Sequence, residues 1–350
     1  MKKRLSLVLI VLLTLGVILT GCASKTETGD KGSDNGAATD DEVITIRISH
    51  VLQDTHPTNT TLVDIFKPEV EKNSNGKLKV EIYPNAQLGS DRQAIEAVSL
   101  GSLEMSVPGG PVLSGFYEPF MIFDLPFLFK DRQAAYAAMD GELAEKVGEG
   151  LLDQNILILG IGENGFRHIT NNEGPVYTPD DLKGLKFRTM ENPLHIAAFK
   201  GMGANPTPIA FGELFTALQQ KTVDAQEQPI AILYTSKFNE VQKYLTLDGH
   251  VFANCPYIIN KDFYEGLSPE LQKVIADAVT KTVEVQRKTL AEKEAELIEE
   301  LKNLGMEVNE LTDEQRQLFV EASQPAYDLF IEKFGEQGEE LLKLAQSYNK

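Results

Sequence analysis

Residues 184–193 read Gly-Leu-Lys-Phe-Arg-Thr-Met-Glu-Asn-Pro. Within them, apolar Leu185 and Phe187 alternate with charged Lys186 and Arg188, which predicts a short, half-buried strand, and the closing Glu-Asn-Pro indicates a turn. Binding crevices of α/β proteins usually lie where such strands end. A guanidinium there can hold a carboxylate through two parallel hydrogen bonds. The alternative for Arg188 is a structural ion pair with a nearby acid.

Strands and helices alternate around this segment. Residues 44–50 and 77–83 alternate polar and apolar side chains as strands do, and helices are predicted near 58–72 and 91–100, an order typical of an α/β fold. Ser-Pro-Glu followed by helical periodicity predicts one long helix over 268–304. About 36 residues at 1.5 Å each would make it roughly 54 Å long. Since one domain of this size is narrower than that, we expect the helix to span two domains.

Length and composition set the class of protein. A chain of 350 residues is long enough for two ordinary domains. It carries 33 basic and 52 acidic residues and a formal charge of −19, with no basic tract, which argues against binding to nucleic acid or to anionic lipid surfaces. Two cysteines, Cys22 and Cys255, are too few for a disulfide scaffold, and Cys255 lies in an apolar run that predicts a core position.

The N-terminus predicts export and anchoring. A basic start and an apolar run over residues 5–19 are typical of a secretory signal, and the run is too short for a comfortable membrane span. The Leu-Thr-Gly-Cys that ends it resembles the bacterial lipoprotein box, so we predict a signal peptide at 1–21 and lipidation of Cys22. Residues 22–42 are predicted to be the lipidated cysteine and a flexible linker. The protein would then be anchored to the membrane without spanning it.

A glycine motif raises the possibility of a nucleotide site. Gly160-Ile161-Gly162-Glu163-Asn164-Gly165 matches G-x-G-x-x-G and follows a predicted strand at 156–159. A pyrophosphate site needs a helix to begin at this point, but residues 166–172 look extended, and Glu163 would repel phosphate. The glycines are therefore expected to let the chain cross between domains.

No residue pattern predicts catalysis or a metal site. His50 and His56 have no acidic or cysteine partner at a suitable spacing, so lining of a cleft or a loop hydrogen bond is the better interpretation. The sequence contains no G-x-S-x-G elbow, no H-E-x-x-H motif and no Walker A loop. We therefore predict no cofactor, no metal and no enzymatic activity, although acid–base catalysis stays open in principle.

Two arginines are the best candidates for a binding site. Arg167 and Arg188 both lie in extended segments flanked by apolar residues, where a solvated surface role is not expected. If the two guanidinium groups converge on one cleft, they would form a site for a carboxylate through charged hydrogen bonds. The sequence does not show whether they converge.

Ordered blocks over almost the whole mature chain resemble the substrate-binding proteins of tripartite ATP-independent periplasmic (TRAP) transporters, the DctP family. The blocks are His50 with His56-Pro57, Asn85–Gly89, Asp124–Phe129, Gly165–Arg167, Gly184–Arg188, Gly203–Pro208, Phe211–Gln219, Val223–Pro229 and Glu240–Leu245. Any single block is a weak signal, but nine in the same order are specific.

The resemblance implies a fold and a set of site residues. The fold is a two-domain, periplasmic-binding-protein-like α/β flytrap with a long helix bridging both domains. The domains are predicted at 43–165 plus 254–290 and at 166–253 plus 291–350. Arg188 would clamp the carboxylate, Arg167 would be a second cation, and Phe211 would pack on the ligand. Gln228 stands where many members have Asn. The full predicted set of ligand-binding residues is Arg188, Arg167, Phe211, Gln228, His50 and Asn192.

The resemblance also implies a function: an extracytoplasmic, lipid-anchored binding protein that captures a small organic acid and passes it to TRAP permease subunits in the membrane. Neutral polar residues near the arginines, among them Asn171, Asn172 and Asn192, favour a hydroxylated ligand such as a uronate. A C4-dicarboxylate is the alternative ligand, and a sensor kinase is the alternative partner. The protein is expected to be a monomer on the outer face of the cell membrane.

Overall fold

In the computed structural model, which describes residues 43–350, nine strands form one mixed sheet with the order β2-β1-β3-β8-β4-β7-β5-β6, and β9 pairs with β8. The predicted signal peptide, Cys22 and linker lie outside the described residues. The strands are β1 (Ile44–Ser49), β2 (Leu78–Tyr83), β3 (Met105–Ser106), β4 (Ile156–Asn171), β5 (Lys186–Thr189), β6 (Asn205–Pro208), β7 (Ala225–Pro229), β8 (Tyr244–Asn260) and β9 (Glu307–Glu310).

Helices cover the faces of this sheet. They are α1 (Pro57–Thr61), α2 (Lys67–Asn73), α3 (Asp91–Ser99), α4 (Gly110–Leu113), α5 (Arg132–Met139), α6 (Glu142–Glu149), α7 (Pro193–Gly201), α8 (Phe211–Gln219), α9 (Ile230–Thr235), α10 (Lys261–Gly266), α11 (Pro269–Asn303), α12 (Asp313–Ala322) and α13 (Gln324–Ser347). A π-helical turn at Leu62–Phe66 joins α1 to α2, and the aromatic segment Glu118–Asp124 is a buried 3₁₀ helix. No described helix is both long enough and apolar enough to cross a membrane.

Two long antiparallel strands, β4 and β8, run through the whole sheet. The first part of β4 pairs with the last part of β8, which continues to β3, β1 and β2; these strands and α1–α6 form what we call the first lobe. The last part of β4 pairs with β7, which continues to β5 and β6; these strands and α7–α9 form the second lobe. The ladder between β4 and β8 shifts register at three places: Ile158/Gly160, Glu163/Gly165 and Arg167/Ile169.

The long helix predicted from the sequence is confirmed as α11, with 35 residues. Its first half packs into the core of the first lobe through Leu271, Ile275 and Val279. Its last turns pack into the core of the second lobe, where Leu301 is fully buried and Leu297 lies against it. The helix therefore contacts both lobes, as the sequence predicted.

The G-x-G-x-x-G motif lies inside β4, not at the start of a helix. A Cβ atom added to Gly162 would lie 2.1 Å from Oε1 of Gln286 on α11, and one on Gly160 would lie 3.0 Å from Val279. The glycines thus let β4 approach the bridging helix closely. Cys255, beside them on β8, is buried in the same core, which confirms its predicted position, and burial raises the pKa of its thiol to about 12.

Candidate ligand-binding site

A cavity lies between the two lobes. The second lobe contributes Arg188 from β5, Gln228 from β7 and Phe211 from the start of α8, together with Arg167 from the last part of β4. The wall from the first lobe and the crossing strands is lined by Asp91, Val107, Gly109, Pro111, Asn164, Ala253 and Asn254. Apolar side chains complete the lining: Val51, Leu52, Met190 and Ile232. The cavity therefore has a cationic side and a neutral to acidic side.

Arg188 is buried with an unused hydrogen-bond donor. The strand β5 holds it in parallel register with Thr207 of β6, and its side chain is 1% exposed. Its Nε donates to the carbonyl of Ile209 at 2.9 Å, while Nη1 is buried and has no partner among the described residues. Burial lowers the pKa of Arg188 to about 10, although Glu227 opposes this shift. An anion in the cavity would offset the free-energy cost of burying this charged side chain, because it would accept a charged hydrogen bond from the guanidinium.

Arg167 is engaged mainly by a protein carboxylate. Its Nε donates to Glu227, and its Nη2 donates to Oε1 of Glu227 at 2.9 Å and to the Glu227 carbonyl at 2.8 Å. A further bond from Nη2 reaches Oε1 of Gln228 at 3.3 Å. Since these bonds use Nε and Nη2, Nη1 is the atom left for a ligand within the described part of the chain. Arg167 is thus a structural ion-pair partner that also lines the cavity.

The acid that holds Arg167 belongs to a buried network. Burial alone would raise the pKa of Glu227, but Arg167 and His250 hold it well below its usual range. His250 lies between Asp248, at 2.6 Å, and Glu227, at 3.2 Å. Burial alone would lower the pKa of His250, but these two carboxylates raise it to about 9, so the imidazole is protonated at neutral pH. The charges of the network alternate and largely neutralise one another.

The predicted residues Phe211 and Gln228 both lie at the cavity. Phe211 is half-buried, and its ring meets that of Phe238 edge-on, with centroids 6.1 Å apart. Gln228 is 2% exposed on β7, opposite His168 of β4. Together with Arg167 and Arg188, they line one cavity. That they bind a ligand stays a prediction.

The other two predicted ligand residues, His50 and Asn192, do not line this cavity. His50 is fully buried at the end of β1, and its Nε2 lies 3.1 Å from Oδ1 of Asn59. Burial lowers the pKa of His50 to about 4, so its ring is neutral. Hydrogen bonds to other protein groups engage both side chains outside the cavity lining, and a ligand-binding role for them stays a prediction.

Asn192 instead joins the two lobes. Its Nδ2 donates to Oδ2 of Asp124 at 2.7 Å, to Oγ of Ser114 at 3.2 Å and to the carbonyl of Pro111 at 3.3 Å, all in the first lobe. Its Oδ1 accepts from the Leu194 amide at 2.8 Å and so caps α7 in the second lobe. The amide therefore has the role of a contact between the lobes.

Three polar side chains that line the cavity are absent from the predicted set: Asp91, Asn164 and Asn254. Burial raises the pKa of Asp91 to about 7, even though the Gly109 amide, which donates to Oδ2 at 3.3 Å, favours ionisation. The sequence does contain a signal for two of them. Asn254 interrupts an apolar run within β8, from Val251 to Ile259, and Asn164 lies between Gly162 and Gly165. Asp91 shows only the features of a helix start.

The chain is similar to a known family over most of its length. Residues 48–333 match DctP, the bacterial extracellular solute-binding proteins of family 7. The 2,3-diketo-L-gulonate-binding periplasmic protein YiaO of Escherichia coli (strain K12) is 38% identical over 279 residues, covering 79% of this chain and 84% of that protein.

Solved structures of TRAP solute-binding proteins have the same fold. The sugar acid binding protein of Advenella mimigardefordensis strain DPN7T, in complex with galactonate, superposes with a TM-score of 0.84 at 35% identity, covering 88% of this chain and 99% of the other. The TRAP periplasmic solute-binding protein of Sulfurospirillum deleyianum DSM 6946, with bound succinate, gives 0.82 at 30% identity, covering 87% and 99%. These likenesses confirm the predicted α/β fold class. The chain belongs to the DctP family of TRAP-transporter solute-binding proteins.

Proposed function

We propose that this protein is a lipid-anchored extracytoplasmic receptor that binds a hydroxylated monocarboxylate of the sugar-acid class between its lobes and delivers it, unchanged, to an ion-coupled TRAP permease. The buried Nη1 of Arg188, which has no hydrogen-bond partner among the described residues, carries the proposal, because an anionic ligand in the cavity would satisfy this charged donor. Neutral amides on the opposite wall suit hydroxyl groups. Relatives with bound galactonate, galacturonate and L-gulonate support the same ligand class.

A C4-dicarboxylate is the second candidate ligand. Relatives named as C4-dicarboxylate-binding proteins and a structure with bound succinate support it. The position of Asp91 disfavours it, since a second ligand carboxylate on that side would meet an acid. Delivery to a sensor kinase is the corresponding second candidate for the partner. We take the receptor to act as a monomer.

Binding would couple to a movement of two domains, which we place at 43–165 plus 254–290 and at 166–253 plus 291–350. The first boundary coincides with the middle one of the three register shifts between β4 and β8, at Glu163/Gly165, which supports it. A ligand that contacts both walls stabilises the closed arrangement by the difference between its affinities for the closed and open arrangements.

A calorimetric panel tests the ligand class. Full-length protein purified in detergent is titrated with galactonate, glucuronate and gulonate, and with succinate and malate. We expect micromolar or tighter binding to at least one sugar acid and binding at least tenfold weaker to both dicarboxylates. Tight binding to succinate or malate alone would contradict the sugar-acid assignment and identify the ligand as a C4-dicarboxylate. Consumption of any bound acid on prolonged incubation would contradict a role limited to binding.

Asn192→Ser tests the contact between the lobes. Serine keeps an oxygen to cap α7 but loses the Nδ2 that reaches Asp124, so the closed arrangement should be less stable. We expect binding of the preferred sugar acid to weaken about tenfold, as for the loss of one buried hydrogen bond, with little change in the melting temperature of the unliganded protein. The control is Asn205→Ser, which removes an amide bonded within the second lobe. Equal affinities of the two variants would refute the role given to Asn192.

Cys22→Ser tests the anchor. Without the thiol no lipid can be attached, so the precursor should stay unprocessed or be released from the membrane. Fractionation followed by a carbonate wash measures the association, and Cys255→Ser, which changes the buried core cysteine, is the control. Membrane association of Cys22→Ser that withstands the wash as well as that of the control would rule out lipid anchoring through this residue.

A further inference from the structure

The wall of the cavity opposite Arg188 carries polar atoms that have no hydrogen-bond partner among the described residues. Asp91, Asn164 and Asn254 are 7%, 6% and 1% exposed. Oδ1 of Asp91, Oδ1 of Asn164 and both polar atoms of the Asn254 side chain are buried and form no hydrogen bond with any described residue. Buried polar atoms are nearly always paired in folded proteins, because leaving them unpaired is costly. Several such atoms on one cavity wall indicate a surface built to bind the polar groups of a ligand.

The backbone holds these groups in place. Asp91 is the first residue of α3, and the Gly109 amide fixes its Oδ2, which leaves Oδ1 free for a ligand. Gly110 makes room for Asn254, because a Cβ atom at this position would lie 1.9 Å from Oδ1 of Asn254. The polar wall thus depends on a close approach of backbone that only glycine permits.

Charge is distributed unequally across the cavity. The guanidinium groups of Arg167 and Arg188 line one side, whereas the opposite wall presents one acid, Asp91, and neutral amides. Glu191, just after β5, adds negative potential near Asp91 and forms an ion pair at 3.5 Å with Arg92. A ligand with its carboxylate on Arg188 would place its remaining groups near Asp91. A hydroxyl group there can donate to Oδ1, but a second carboxylate would be repelled.

We propose that Asp91 determines specificity, accepting a ligand hydroxyl and excluding dicarboxylates, with Asn164 and Asn254 binding neighbouring hydroxyls. This rests on the proposed function, since it assumes that an organic acid occupies the cavity with its carboxylate on Arg188. Hydroxyl donors and carboxylates differ in charge as well as in hydrogen-bonding capacity, so one acidic side chain can separate the two ligand classes.

The experiment compares two acids that differ at one end. Galactonate and galactarate have the same carbon chain, but galactarate carries a second carboxylate in place of the terminal hydroxymethyl group. Both are titrated by calorimetry, with succinate as a third probe, into the full-length protein in detergent at pH 8, above the pKa of Asp91. We expect the wild type to bind galactonate at least 100-fold more tightly than galactarate. In Asp91→Asn, galactonate should bind about 10- to 100-fold more weakly and galactarate more tightly than in the wild type.

Asp313→Asn is the matched control. Asp313 opens α12 behind a Thr312–Gln315 capping box, as Asp91 opens α3 behind the box of Ser90 and Gln93. The substitution removes the same charge at the same helical position, away from the cavity, and should leave both affinities unchanged.

The outcomes separate the two proposals. A ratio of galactonate to galactarate affinity that stays within threefold of the wild-type value in Asp91→Asn overturns the role of Asp91, while tight galactonate binding still supports the proposed function. A wild type that prefers galactarate or succinate overturns both. A ratio that falls at least tenfold in Asp91→Asn but not in Asp313→Asn supports the assignment.

Discussion

Replacing Arg188 with methionine is expected to weaken ligand binding by at least two orders of magnitude and to leave the unliganded protein at least as stable as the wild type. Removing one partner of a buried charge pair costs about 3–5 kcal/mol, which corresponds to roughly two to three orders of magnitude in affinity for the acid. The unliganded protein, by contrast, loses a buried cation whose Nη1 has no partner in the described part of the chain and whose pKa is lowered by burial. An unsatisfied buried donor costs about 1–3 kcal/mol, so its removal should not destabilise the fold.

Thermal melts with and without galactonate, together with calorimetry, measure both effects. Arg188→Lys is the graded control, because it keeps the charge but loses the planar fork, and its affinity should fall between those of the wild type and the methionine variant. A melting temperature many degrees lower for unliganded Arg188→Met, combined with normal binding, would identify Arg188 as a structural residue and remove the basis of the proposed function.

Arg167→Met, unlike Arg188→Met, is expected to destabilise the unliganded protein strongly. It would leave Glu227, fully buried, without the guanidinium that neutralises it, and the hydrogen bond from His250 would be its remaining charged contact within the described residues. Breaking a buried pair in this way costs about 3–5 kcal/mol. At about 2–4 °C per kcal/mol for a chain of this size, the melting temperature should fall by roughly 6–20 °C.

A double variant identifies the cause of that loss. Arg167→Met combined with Glu227→Gln removes both charges and should recover part of the stability, since no uncompensated carboxylate remains. A fall of less than about 3 °C for Arg167→Met, or no recovery in the double variant, would show that the ion pair is not what stabilises this region. Arg167 and Arg188 would then differ less in their contribution to stability than their hydrogen bonds indicate.

The sequence predicted correctly that Arg188 lies in a strand, but it did not predict the environment of its side chain. Alternation over residues 184–193 correctly indicated a strand, β5, because apolar residues such as Phe187 and charged residues point to opposite sides. The alternation did not predict how deeply Arg188 is buried, and its exposed fraction is only 1%. Arg188 is buried because the second lobe meets the first across the cavity. A local sequence pattern does not predict a contact between such distant segments.

Long-range pairing limited the prediction of the strands. The segments 156–159 and 166–172, read as two strands around a glycine motif, are one strand, β4, because pairing with β8 continues across the glycines. Proline-rich β6 gave no strand signal, since proline fits only edge positions such as this one. The roles of Asp91 and Asn192 depend on which groups have partners in three dimensions, and sequence spacing does not contain that information.

The two strands that cross between the lobes have a mechanical consequence. The strands β4 and β8 stay hydrogen-bonded to each other in both lobes, and the helix α11 packs on both lobes. The lobes are therefore connected by two paired strands and one long helix. Such a connection deforms by bending and twisting at its register shifts and resists free rotation. A movement of one lobe relative to the other would have to bend or twist these strands and the helix. That deformation would oppose the movement and limit its direction.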